Sequence, residues 1–138
     1  MPPIVQIQVT RAPGDCAVVA LSMYLGRPYE DVFAVAVSVT KNTAFHKTGL
    51  YYSHIRRIAT KLGARLLTQR PRVAYPLDLE TACGLLGIKR RSPDDQHVVF
   101  IKAGLVFDFD GTVWEFETYL KHHGYTVVCL LTNMQEEE

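Results

Sequence analysis

The chain has 138 residues, 48% of them hydrophobic and 21% charged, with a formal net charge of +1. That is the size of one domain with its own core, and the near-neutral balance gives no global electrostatic case for binding nucleic acid or a membrane. Three cysteines, an odd number, do not make a disulfide framework, and no apolar run approaches the ~18 residues of a membrane-spanning helix.

Residues 1–6 lack the basic stretch and apolar block of a secretory signal, so the expected location is the cytoplasm. Residues 4–9 alternate polar and apolar, as a short strand does. Residues 11–14 form a loop, and Asp15 is placed to cap a helix that runs to about Leu25 and stops at Gly26, with Pro28 beyond. Cys16 then falls in the first turn, where the helix carries about half a positive charge; that charge stabilises a thiolate and lowers a cysteine pKa. A thiolate is the nucleophile of cysteine-dependent acyl transfer; the alternative is a small core residue.

A second helix is expected over about 29–38, followed by a polar loop, 40–48, whose Lys41, Asn42, His46 and Lys47 suit one wall of a cleft. A third helix, about 52–62, places Ile55, Ile58, Ala59 and Leu62 at helical spacing and ends at Gly63. Arg56, Arg57 and Lys61 lie on its other face, which reads as a solvated face rather than a nucleic-acid surface. A strand over 64–67 and a connection at 70–72 come next. Residues 77–86 read as a short helix with Cys83 in the core, and 89–95 as a charged loop.

Residues 96–101 are rich in β-branched and aromatic types and read as a strand. Lys102, Ala103 and Gly104 signal a turn, and 105–108 resume the strand pattern. If the loop holds an even number of residues, Ile101 lies opposite Val106, Val99 opposite Asp108 and His97 opposite Asp110. His97, Asp108 and Asp110 then share one face. A three-residue loop flips that parity. Asp110 precedes Gly111, a turn pair, and reads first as turn chemistry. A helix of about 115–123 and a final strand containing a core Cys129 follow, then a frayed acidic tail at 135–138.

A cysteine at a helix start, a histidine at a strand start and a register-compatible acid form a nucleophile, a general acid–base and an orienting group. His46, His54, His122 and His123 offer nitrogen ligands but none has the spacing of a zinc site, so no metal or cofactor is expected. His122 and His123 read as the end of a helix, where imidazolium complements the dipole. Helices early and antiparallel strands late give an α+β chain of two facing lobes, with the cleft between them.

At Asp15-Cys16, the apolar helix through Met23, the helices from Tyr29 and Gly49, the strand from His97 and the strand ending in Asp108, the chain resembles the papain-like cysteine peptidases. It is most similar to the bacteriocin-processing, double-glycine-leader peptidase domains of ABC exporters. The resemblance covers most of the chain, including 114–120 as the family's late helix. It implies a papain-like fold, with an N-terminal helical lobe carrying the Cys helix and a C-terminal antiparallel sheet carrying His and Asp. It also implies Cys16 as nucleophile, His97 as general base and acid, and Asp108 as the orienting group. Two positions depart from the pattern. Thr10 stands where the family places an oxyanion-binding Gln, with Gln8 the nearby candidate beside the Cys16 amide. Phe109 stands where the family favours Pro.

The expected function is a cysteine peptidase that cleaves a peptide or isopeptide amide of a peptide or protein substrate through an acyl-enzyme. The same triad also serves acyltransferases, transglutaminases and amidases, and a degenerate domain of this kind binds peptides without cleaving them. The short chain leaves little room for subsite walls, which points to a narrow peptide or to dependence on a partner protein, as in a bacterial or phage setting. Nothing in the sequence sets the oligomeric state.

Overall fold

The computed structural model describes residues 14–43, 45, 49–72, 76–90 and 96–133. The strand expected over 4–9, Gln8, Thr10, His46 and Lys47 lie outside them. The elements in chain order are α1 (Cys16–Leu25), α2 (Tyr29–Thr40), α3 (Tyr52–Lys61), β1 (Leu66–Gln69), β2 (Cys83–Lys89), β3 (Gln96–Lys102), β4 (Leu105–Phe107), β5 (Val113–Glu115), α4 (Phe116–His123) and β6 (Thr126–Asn133). The six strands form one antiparallel sheet in the order β1-β6-β2-β3-β4-β5. The class is therefore α+β.

Two cores lie on opposite faces of this sheet. One joins α1, α2 and α3 to Leu85, Val98, Phe100, Phe107, Cys129 and Leu131. The other joins Leu86, Ile88, Val99, Ile101, Val106 and Leu130 to Tyr119 of α4. Strand alternation explains the split, because successive side chains of β3 point to opposite faces. Helix α1 buries every residue from Ala17 to Met23, as expected of a helix apolar all round. It ends where Gly26 adopts a left-handed conformation and its N–H bonds the Ser22 carbonyl. Helix α2 opens with Glu30 and Asp31, which complement its positive end. The Glu115 carboxylate caps α4, accepting from the Glu117 and Thr118 amides at 3.1 and 2.9 Å.

The β3–β4 loop resolves the question of parity. Ala103 and Gly104 both have positive φ, 51° and 83°, and Lys102 pairs with Leu105. This is the two-residue type I′ hairpin turn. Ile101 therefore faces Val106, as the even-loop register requires.

The segment 77–86 corrects a sequence expectation. It is no helix: Asp78 closes a turn by accepting from the Thr81 hydroxyl at 2.6 Å, and β2 begins at Cys83. Strand β2 lies inside the sheet between β3 and β6, so it is apolar on both faces, and such a run mimics a buried helix in periodicity. Cys83 is exposed rather than in the core, whereas Cys129 is buried in β6 as expected. Among the described residues the three early helices cover one face of the later antiparallel sheet and α4 covers the other. Strand β5, only three residues long, was too short to be legible.

Candidate active site

Asp15 precedes α1 but does not cap it. Its side chain makes no capping bond; instead, fully buried, it accepts a 2.6 Å hydrogen bond from the Tyr29 hydroxyl. This tie clamps the start of α1 to the start of α2, the structural reason a carboxylate is buried there.

Cys16 is partly exposed, yet protein surrounds its sulfur. Burial raises the thiol pKa above its ordinary value; the amides of Val98, Ala17 and Cys16 itself oppose this, and the nearby Asp15 charge adds to the rise. The net direction corrects the expectation of a lowered pKa. Desolvation penalises the thiolate more than the helix start and three amides favour it. The direction favours the thiol form of Cys16 over the thiolate.

The Val98 amide that faces the sulfur belongs to the residue after His97. Covalent geometry puts the His97 Cα about 2.4 Å from that nitrogen, so Cys16 sits against the start of β3 and is a neighbour of the His97 backbone. The His97 side chain emerges on the face of Val99 and Ile101, opposite the face of Val98 and Phe100 on which α1 packs, so the structure brings Cys16 to the His97 backbone and not to its ring. Its ring stacks on Phe109 with centroids 5.2 Å apart and meets the edge of Tyr125 at 5.8 Å.

Asp108 follows directly on β4 and is buried. Alternation from Val106 puts it on the face that carries His97, as the hairpin register predicts. Its Oδ1 accepts from the Phe109 amide at 2.8 Å. Burial raises its pKa; the Phe109 amide lowers it, Asp110 raises it, and Tyr119 and His123 lower it further. The Tyr119 hydroxyl is buried beside this acid, close enough to interact though outside strict hydrogen-bond geometry. Phe109, in the position where the resembled family favours Pro, thus both bonds the acid through its amide and covers the imidazole with its ring.

Asp110 does not extend the pairing. The ladder stops at Phe100–Phe107, and the chain turns as the Gly111 N–H bonds the Asp108 carbonyl at 3.1 Å. The Asp110 carboxylate accepts from the Thr112 amide and hydroxyl at 3.0 and 2.5 Å, which is the turn role read for it. His54 is likewise accounted for locally: its Nδ1 accepts from the Tyr51 N–H at 3.4 Å. His122 and His123 close α4, and His123 Nδ1 lies 3.1 Å from the Tyr119 carbonyl. Among the described residues no three His, Cys, Asp or Glu side chains gather as metal ligands, and no helix is long and apolar enough to cross a membrane.

Sequence reading missed Tyr52 and Gln96. The Tyr52 hydroxyl bonds Gln96 Oε1 at 3.5 Å, and its own pKa is raised by burial and by the thiols of Cys129 and Cys16. The phenol fits only because position 87 has no side chain. A Cβ there would lie 2.3 Å from the Tyr52 hydroxyl oxygen and 3.0 Å from the Cys129 sulfur. A glycine inside a strand is the available signal for such an approach. A Gly87→Ala variant is therefore expected to lose about 1–3 kcal/mol of stability and to change the alkylation rate of Cys16 as Tyr52 shifts. Thermal denaturation and timed alkylation check both.

No family model matches the chain, and neither does any curated protein.

Proposed function

We propose that the chain is a thiol hydrolase of papain-like design, a cysteine peptidase acting through Cys16, His97 and Asp108. The observation that carries this reading is the contact of the Cys16 sulfur with the backbone amide next to His97, at the start of both α1 and β3. His97 is assigned as the proton acceptor during attack, a role that requires its ring to turn from the Phe109 and Tyr125 side of the sheet toward Cys16. The sulfur adds to the carbonyl carbon as its proton passes to His97, and the carbonyl oxygen takes the negative charge beside the Cys16 amide. Collapse breaks the C–N bond, His97 protonates the departing amine, and a thioester remains on Cys16. Water, deprotonated by His97, then releases the acid and restores the thiol.

Asp108, on the same face as His97 and screened from water, is the group assigned to orient the ring. The substrate is a peptide or protein, and a free nucleophilic thiol suits a reducing compartment such as the cytoplasm.

Mass spectrometry of peptide products in water, and in water with added amine, tests the reading. Hydrolysed peptide with a thioester on Cys16 is the expected result. Amide products with the added amine would reassign the chain to acyl transfer. Peptide binding with no adduct on Cys16 would make it a binding module.

A further inference from the structure

The charges of this chain are segregated. Of its 15 lysines and arginines, six (Arg56, Arg57, Lys61, Arg65, Arg70 and Arg72) fall between residues 53 and 72, where there is no Asp or Glu at all. All 14 acids lie elsewhere, with the other nine cations. The overall balance of +1 hides this division.

The segment is α3, β1 and the turn between them, and the two elements pack together. Arg57, Lys61, Arg65, Arg70 and Arg72 are exposed. Arg56 is half-buried, its guanidinium donating to the Thr68 hydroxyl at 2.7 Å. That bond fixes a cation between helix and strand without neutralising it. Arg57 and Lys61 stand four apart on α3, a like-charge spacing that disfavours the helix. No acid within residues 53–72 offsets this repulsion.

The first residue of α3, Tyr52, reaches toward Cys16. Arg56 and Arg70 both act on the buried Cys129 thiol, and Arg70 acts on Tyr52. Tyr52 in turn bonds Gln96 at the start of β3, the residue before His97.

We propose that the α3–β1 strip is the docking surface for an acidic segment of the substrate, which it holds beside the scissile bond at Cys16. This rests on the thiol-hydrolase reading for its purpose but not for its test. Helix α3 has ten residues and β1 four, so the strip is about 15 Å long on the helix and about 13 Å on the strand, the reach of a short peptide. A long polyanion such as a nucleic acid would extend past a strip of this length, whereas a short acidic peptide is matched to it.

The test is fluorescence anisotropy on the full chain with a labelled glutamate-rich peptide, its glutamine counterpart and a single-stranded oligonucleotide of equal charge. The glutamate peptide should bind, the glutamine peptide should not, and added salt should weaken binding. The triple variant Arg57→Glu, Lys61→Glu, Arg65→Glu should weaken it about tenfold or more, while Lys121→Glu on α4 should leave it unchanged. If charge reversal impairs folding, the three glutamine substitutions at the same positions serve instead. Bound glutamate peptide should also slow alkylation of Cys16.

Unchanged binding in the strip variants, binding that leaves Cys16 alkylation untouched, or tighter binding of the oligonucleotide would each overturn the proposal. Binding and protection of Cys16 without any turnover would uphold the docking surface and sink the hydrolase reading. Turnover with no contribution from the strip would do the reverse.

Discussion

In a Cys83→Ser background, Cys16→Ala should reduce amide turnover by at least about a thousandfold and remove labelling by limiting iodoacetamide. The background substitution is needed because Cys83 is exposed and so open to the reagent, whereas Cys129 is fully buried. The pH dependence adds a second readout. The folded thiol of Cys16 has its pKa raised, chiefly by burial, so its thiolate fraction is low at neutral pH. Labelling should therefore rise with pH through a midpoint above the ordinary thiol range. Rapid, pH-independent labelling below pH 7 would mean a thiolate already stands at rest, and the general-base route through His97 would fall. Equal labelling with and without Cys16 would remove the nucleophile altogether.

Where each local signal had one physical cause, the sequence was easy to read. Helix α1 stops at Gly26 because a left-handed residue was needed there, and α3 showed its buried face in Ile55, Ile58 and Ala59. The β3–β4 register required only that Ala103-Gly104 form a two-residue turn. Reading failed where tertiary context decides. Strand β2 is apolar on both faces because it is covered on both sides, and no periodicity separates that from a helix. Asp15 is a helix cap by type, but burial offered it the Tyr29 hydroxyl instead.

The candidate site divides the same way. Cys16, His97 and Asp108 were legible as residue types at element ends. The sign of the Cys16 shift was not, because a helix-start charge can be read from sequence and desolvation cannot. Tyr52 and Gln96 are 44 positions apart, and only the packing over Gly87 reveals that they meet.

Phe100→Ala should cost about 3–5 kcal/mol, the largest single loss of stability expected among these core positions. Phe100 is almost fully buried, and its ring lies 5.2 Å from Phe107 and 5.9 Å from Tyr24. It therefore joins β3, β4 and α1 at one point. The cost combines lost transfer energy with a cavity that a rigid sheet cannot close. Leu105, in the same hairpin but 44% exposed, is the control, and its alanine variant should change stability by less than about 0.5 kcal/mol. Chemical denaturation measures both. The consequence reaches the site, because Val98 and Phe100 share the face on which α1 packs. A loosened α1–β3 contact moves the Cys16 sulfur relative to the Val98 amide, so the alkylation rate of Cys16 should change in Phe100→Ala even under conditions where the variant remains folded. A folded Phe100→Ala protein with unaltered Cys16 reactivity would show that the sulfur is positioned by α1 alone, without the sheet.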